Sequence, residues 1–117
     1  MARNLHTAHK YQVQYTPTVI AGGDSQEALD MIFCEFEIST NKDDEYDDEY
    51  DVARSELSRL VKIIKDEQDT DYYKEREEFL MEQLGSMQLT LEEFIAALIK
   101  LINTSDQSND DVLLSWY

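Results

Sequence analysis

Carboxylates outnumber cations 26 to 10 in this 117-residue chain, and the resulting net charge of −16 limits what it can fold into. Like charges packed closely push a compact state apart. The acids must therefore spread over an outer surface while a separate apolar set builds the core. Apolar residues supply 42% of the chain, enough for one modest core at this length. We expect a single acidic domain over residues 1–117.

The same excess sorts partners. Nucleic-acid affinity comes from basic groups that neutralise phosphates, so direct nucleic-acid binding is not expected. An anionic membrane surface repels the chain for the same reason. A basic protein surface attracts it, and the encounter is fast at low salt. Cys34 is the sole cysteine, which leaves no internal disulfide framework and fits a reducing compartment. The opening MARNLHTAHK has no apolar signal core, and no run approaches the roughly 18 apolar residues that span a bilayer. A cytoplasmic location is the expectation.

The charge is unevenly placed. Residues 1–23 hold no acid, with Arg3 and Lys10 the only charges. Residues 24–51 hold twelve acids against Lys42 alone. Residues 54–65 carry Arg54, Arg59, Lys62 and Lys65 against Glu56, and residues 66–82 return to eight acids against Lys74 and Arg76. Arg59, Lys62 and Lys65 are expected to offset the flanking acids through exposed pairs, each worth roughly 0–1 kcal/mol.

Periodicity predicts an α+β fold. Tyr11, Val13 and Tyr15 alternate with polar residues, which suits a strand at about 9–15. Asp24 or Ser25 caps a helix over 25–33 with Ala28, Leu29, Ile32 and Phe33 on one face. Phe36 and Ile38, then Tyr50 and Val52, alternate with polar neighbours. They suggest a hairpin of 35–39 with 49–53, with an acidic tip between; the rival is a helix from near Asp47 to Asp66. Ser55 is the expected cap of a helix over 55–66 carrying Leu57, Leu60, Val61 and Ile64. A helix over 71–84 ends at Gly85, placed as its left-handed residue. Thr90 to Glu93 form a capping box that opens a helix over 91–103, apolar on more than one face. The last residues, 112–117, are expected to form a strand that pairs with the first one, or else a last helical turn capped by Ser108 or Asn109. The expected core is Val13, Leu29, Phe33, Leu57, Leu60, Ile64, Phe79, Leu84, Phe94, Leu98, Ile102 and Leu114. A small antiparallel sheet packed by about four helices results.

The candidate binding residues are two acidic groups. The first is the run Asp43, Asp44, Glu45, Tyr46, Asp47, Asp48, Glu49, Tyr50 and Asp51. As a calcium loop it fails: with Asp43 at the first position, Asp48 stands where Gly is required and Arg54 where a bidentate Glu belongs. As a contact surface it gains from Tyr46 and Tyr50, because tyrosine is enriched at interfaces. The bland alternative is a solvated loop that repels itself. The second group is Asp71, Glu75, Glu78 and Glu82, which share one helix face at roughly 5–6 Å spacing. Alone, such a row is an ordinary solvated face. Two rows side by side approach the charge density of a nucleic-acid duplex, about one charge per 1.7 Å of axis.

Other candidates fail. His6 and His9 form H-x-x-H but lack the third and fourth ligands that a zinc site needs. Cys34 has no basic neighbour in sequence to activate it as a nucleophile and reads as a small core residue. Gly22-Gly23 is a turn, and Glu92 and Glu93 suit the positive end of a helix dipole. No catalytic residue, metal site or cofactor is expected, and the oligomeric state is open. The expectation is a binding module rather than an enzyme. It presents acid to a basic protein surface and, at its sharpest, acts as an inhibitor that mimics nucleic acid against a nucleic-acid-binding enzyme. Small acidic proteins of phages and mobile elements often work this way, an analogy of size and charge alone. The alternatives are a small-molecule or metal-handling domain with a site assembled by the fold, and an acidic structural subunit.

Overall fold

A computed structural model describes residues 5–8, 20, 25–41, 49–105 and 107–116, with residues 6–8 and 115 in backbone only. The chain runs β1 (Leu5–Ala8), α1 (Ser25–Glu35), β2 (Glu49–Ala53), α2 (Arg54–Asp66), α3 (Asp71–Met87), α4 (Leu91–Thr104) and β3 (Asp111–Trp116). The fold is α+β, as the periodicity predicts.

The last strand is the centre of the sheet. The order is β1-β3-β2, with both neighbours antiparallel to β3. Leu5 faces Trp116, Tyr50 faces Leu114 and Val52 faces Val112. All six are buried, so one face of the sheet is apolar and takes the helices. α2 packs on β2, α4 on β1, α1 on α3, and α2 on α4. The chain end is thereby tied to the first strand, as expected.

The helices are set by local signals and by tertiary contact in different measure. α4 opens with the expected box: Glu93 N donates to Thr90 Oγ1 at 3.1 Å, and Thr90 N donates to Glu93 Oε1 at 2.9 Å. α2 follows β2 with no linker. Its cap position is Ala53, which has no capping side chain, and Ser55 lies inside the first turn. The loop before β3 replaces the missing cap: Arg54 N donates to Asp110 O at 2.8 Å. The Arg54 side chain donates to Asn109 O and to Ser105 Oγ, which holds the same loop.

Several expectations are corrected. Residues 35–39 are not a strand. α1 continues through Glu35 and ends on Glu37 in the left-handed region, φ 59°. Ile38 N donates to Phe33 O at 2.8 Å and Glu37 N to Cys34 O at 3.2 Å, the bonding of a Schellman ending. The period-2 spacing of Phe36 and Ile38 arises because both turn inward around this ending. What survives of the hairpin is one bridge, Thr40 with Val52. The helix from Asp47 does not form, since 49–53 pair with β3. Gly85 does not end α3, which runs two residues further and buries Met87. Gln88 takes the left-handed position instead, φ 58°, with Leu89 N donating to Leu84 O at 3.0 Å.

Phe79 and Ile102 are half-buried rather than core, and Cys34 is exposed, because it lies on the outer face of α1 opposite Leu29 and Ile32. On α4 the buried residues are Phe94, Ala97, Leu98 and Leu101, while Ile99 stays exposed, so its burial is one-sided. The N-terminal strand is 5–8; the expected strand at 9–15, with Val13, lies outside the described residues, as does Asp24.

The two misplaced left-handed positions generate a prediction. A Cβ at Gly85 meets nothing within 4 Å, and Gly85 is helical. Gly85→Ala should stabilise the fold by roughly 0.5–1 kcal/mol through helix propensity. Gln88→Gly should stabilise it by up to about 1 kcal/mol by relieving the left-handed strain. Urea unfolding of each variant checks both values.

Candidate acidic interface

α3 carries its acids opposite its buried stripe. Tyr73, Leu80, Leu84 and Met87 face the core, and Asp71, Glu75, Glu78 and Glu82 are exposed on the far side. From Asp71 to Glu82 the row runs about 16 Å along the axis. Glu77 is also exposed but lies nearer the buried stripe, one turn from Tyr73 and Leu80. Among the described residues, Asp71, Glu78 and Glu82 have no ion-pair partner. Like charges at this spacing oppose helix formation, and Glu82 also faces the negative end of the dipole.

The two arginines nearby are used elsewhere, while Lys74 on α3 is exposed. Arg76, on α3 itself, is only 20% exposed and turns toward the end of α1. Its Nε donates to Glu35 O at 3.1 Å and its Nη1 to Tyr72 O at 3.0 Å. The guanidinium carbon lies 3.7 Å from the centre of the Tyr72 ring. Arg59 reaches the same place from α2. Its Nη2 donates to Phe36 O at 3.1 Å and to Glu37 O at 2.9 Å. Its Nε donates to Glu56 at 2.8 Å, which raises the Arg59 pKa and holds the Glu56 carboxyl below its usual range. Arg59 therefore binds carbonyls and its own helix rather than offsetting the flanking acids. Neither Lys62 nor Lys65 has an ion-pair partner among the described residues.

This turn is where the two acidic blocks meet. Glu37, 71% exposed, lies 4.0 Å from Arg76, and Glu75, 74% exposed, lies 3.7 Å from it. Glu37 belongs to block 24–51 and Glu75 to block 66–82. Nothing in the sequence singles out Glu37, since a left-handed Glu has no local signature.

The 43–51 run divides. Asp43, Asp44, Glu45, Tyr46, Asp47 and Asp48 lie outside the described residues. Of the described acidic members of the run, Glu49 is exposed. Asp51 is half-buried and closes the base of the segment: Asn41 Nδ2 donates to Asp51 Oδ2 at 3.1 Å, and Asp51 N donates to Asn41 Oδ1 at 2.6 Å. The chain leaves and returns at that pair. Tyr50 is a correction. It is buried between layers, not displayed, because strand alternation sends it inward with Val52. Its hydroxyl donates to Asp30 Oδ1 at 3.1 Å and accepts from Trp116 Nε1 at 3.4 Å.

No group of three or more His, Cys, Asp or Glu among the described residues is arranged to hold a metal ion. Comparison with protein-family models, curated proteins and solved structures finds no match.

Tyr50 generates a prediction. Burial raises its pKa, and the Asp30 charge raises it further; burial also raises that of Tyr73. A phenol whose folded pKa is raised contributes stability that is fully present below its unfolded value near 10 and is lost as pH rises beyond it. The urea midpoint should therefore fall from about pH 9 upward. Tyr50→Phe should flatten that fall, and should cost roughly 1–2 kcal/mol at neutral pH through its lost hydrogen bonds.

Proposed function

We propose that this protein is a binding module that presents an acidic surface to a positively charged groove on another protein. Its strongest form is an inhibitor that mimics nucleic acid and occupies the groove of a nucleic-acid-binding protein. The observation that carries this reading is the α3 row Asp71, Glu75, Glu78 and Glu82, exposed and largely unpaired, with Glu37 of the other block beside it at Arg76. Such a row weakens the helix that bears it, and among the described residues Glu75 alone of the four has an ion-pair partner, Arg76. A partner's cations would relieve the rest.

Several features support the parts of the reading. The row's spacing of roughly 5–6 Å gives a charge density within a factor of a few of a nucleic-acid strand. Glu49, exposed at the edge strand β2, extends the acid beyond α3. No helix among the described residues is long and apolar enough to cross a membrane. The proposed partner is a protein, met in the cytoplasm. The proposed role is binding, without a reaction.

The test is a pull-down from the native host with the tagged chain and with the variant Glu75→Lys, Glu78→Lys, Glu82→Lys. The wild type should retain a nucleic-acid-binding protein at about 50 mM salt and release most of it by about 300 mM, since screening shortens with salt. The variant should retain none while keeping its unfolding transition, and duplex DNA should compete with the wild type. Retention that is indifferent to salt and to the three reversals contradicts the proposal.

A further inference from the structure

Helix α1 ends in three consecutive carbonyls, Glu35, Phe36 and Glu37, and every one accepts from a guanidinium. A helix end leaves such carbonyls without intrahelical partners, and the dipole makes them negative. In a strongly acidic chain that end would otherwise sit among carboxylates with no compensation. Arg59 and Arg76 come from two other helices, so the contact fixes α1 against α2 and α3 together.

Arg76 has the more constrained position. Its flat group lies on the Tyr72 ring, and Tyr72 in turn meets Phe36 at 6.2 Å between ring centroids. One edge bonds the α1 carbonyl end. The outer edge faces Glu37 and Glu75. We propose that Arg76 is a positioning residue for the acidic surface: it holds Glu37 beside the α3 row, so that carboxylates from the two blocks act on a partner as one surface. This inference rests on the binding role proposed above.

The planar guanidinium matters here beyond its charge. Lysine supplies a point charge but neither the fork that bonds two carbonyls nor the flat face that stacks on Tyr72.

The sign of the effect separates positioning from charge. Arg76→Gln makes the protein more negative. By charge alone, its affinity for a basic ligand should rise or stay the same. Positioning predicts the reverse. The probe is an oligolysine peptide, titrated by calorimetry against the full chain at low salt. Arg76→Gln and Arg76→Lys should each bind it about three- to ten-fold more weakly than wild type. Amide exchange should quicken at residues 36–41 and not in α4. Unchanged or tighter binding by Arg76→Gln overturns the inference. If that variant does not fold, Arg76→Lys decides: weaker binding supports positioning, and unchanged binding overturns it. Failure of the wild-type chain to bind oligolysine is a different result, and it removes the underlying binding reading instead.

Discussion

The carbonyl end of α1 is held by two guanidiniums, Arg59 from α2 and Arg76 from α3, and the layout of charge over the rest of the molecule depends on that contact. It joins three helices at a point where their acids would otherwise repel. It also draws Arg76 largely out of solvent and directs Arg59, still partly exposed, onto backbone carbonyls. The third described arginine behaves alike, since Arg54 donates to Asn109 O and Ser105 Oγ. The arginines act as internal cross-links to backbone and loop, and the exposed carboxylates of α3 are left for solvent or a partner.

The sheet solves a separate problem, which is closing the chain on itself. β3 lies between β1 and β2 and so pairs with one strand from the start of the chain and one from its middle. Tyr50, Trp116 and Asp30 link β2, β3 and α1 through one buried polar chain. A buried phenol between an indole donor and a carboxylate acceptor has its hydrogen bonds satisfied, which makes the burial tolerable. The same linkage makes the fold sensitive to alkaline pH, because the phenol must stay protonated to donate to Asp30.

Much of this was legible where a signal is local. The Thr90–Glu93 box has both partners within four residues, and the α3 row follows from a 3.6-residue period. The helices over 55–66 and 91–103 came within a residue or so of those observed. What was not legible depends on distant residues. Gly85 looked like a helix end, yet Met87 finds a place in the core and carries the helix past it. Ser55 looked like a cap, but strand β2 runs directly into α2 and Asp110 supplies the acceptor. Tyr50 sits among acidic neighbours in sequence, yet its alternation with Asp51 sends it inward. The contacts of Arg59 and Arg76 with the end of α1 had no local trace, because those carbonyls are 22 to 41 positions away. The comparison of the two blocks, 24–51 and 66–82, became a spatial statement only through that contact.

The central physical claim is that Asp71, Glu78 and Glu82 of the α3 row are left without ion-pair partners among the described residues. The stability of the isolated protein against urea, measured from about 0.01 M to about 0.15 M sodium chloride, tests it most directly. Over that range the screening length falls from roughly 30 Å to roughly 8 Å, so repulsion among unpaired carboxylates is damped. The account predicts a urea midpoint that rises steadily with salt. A midpoint that falls, or stays level, would mean the acids are already paired within the fold and would contradict it.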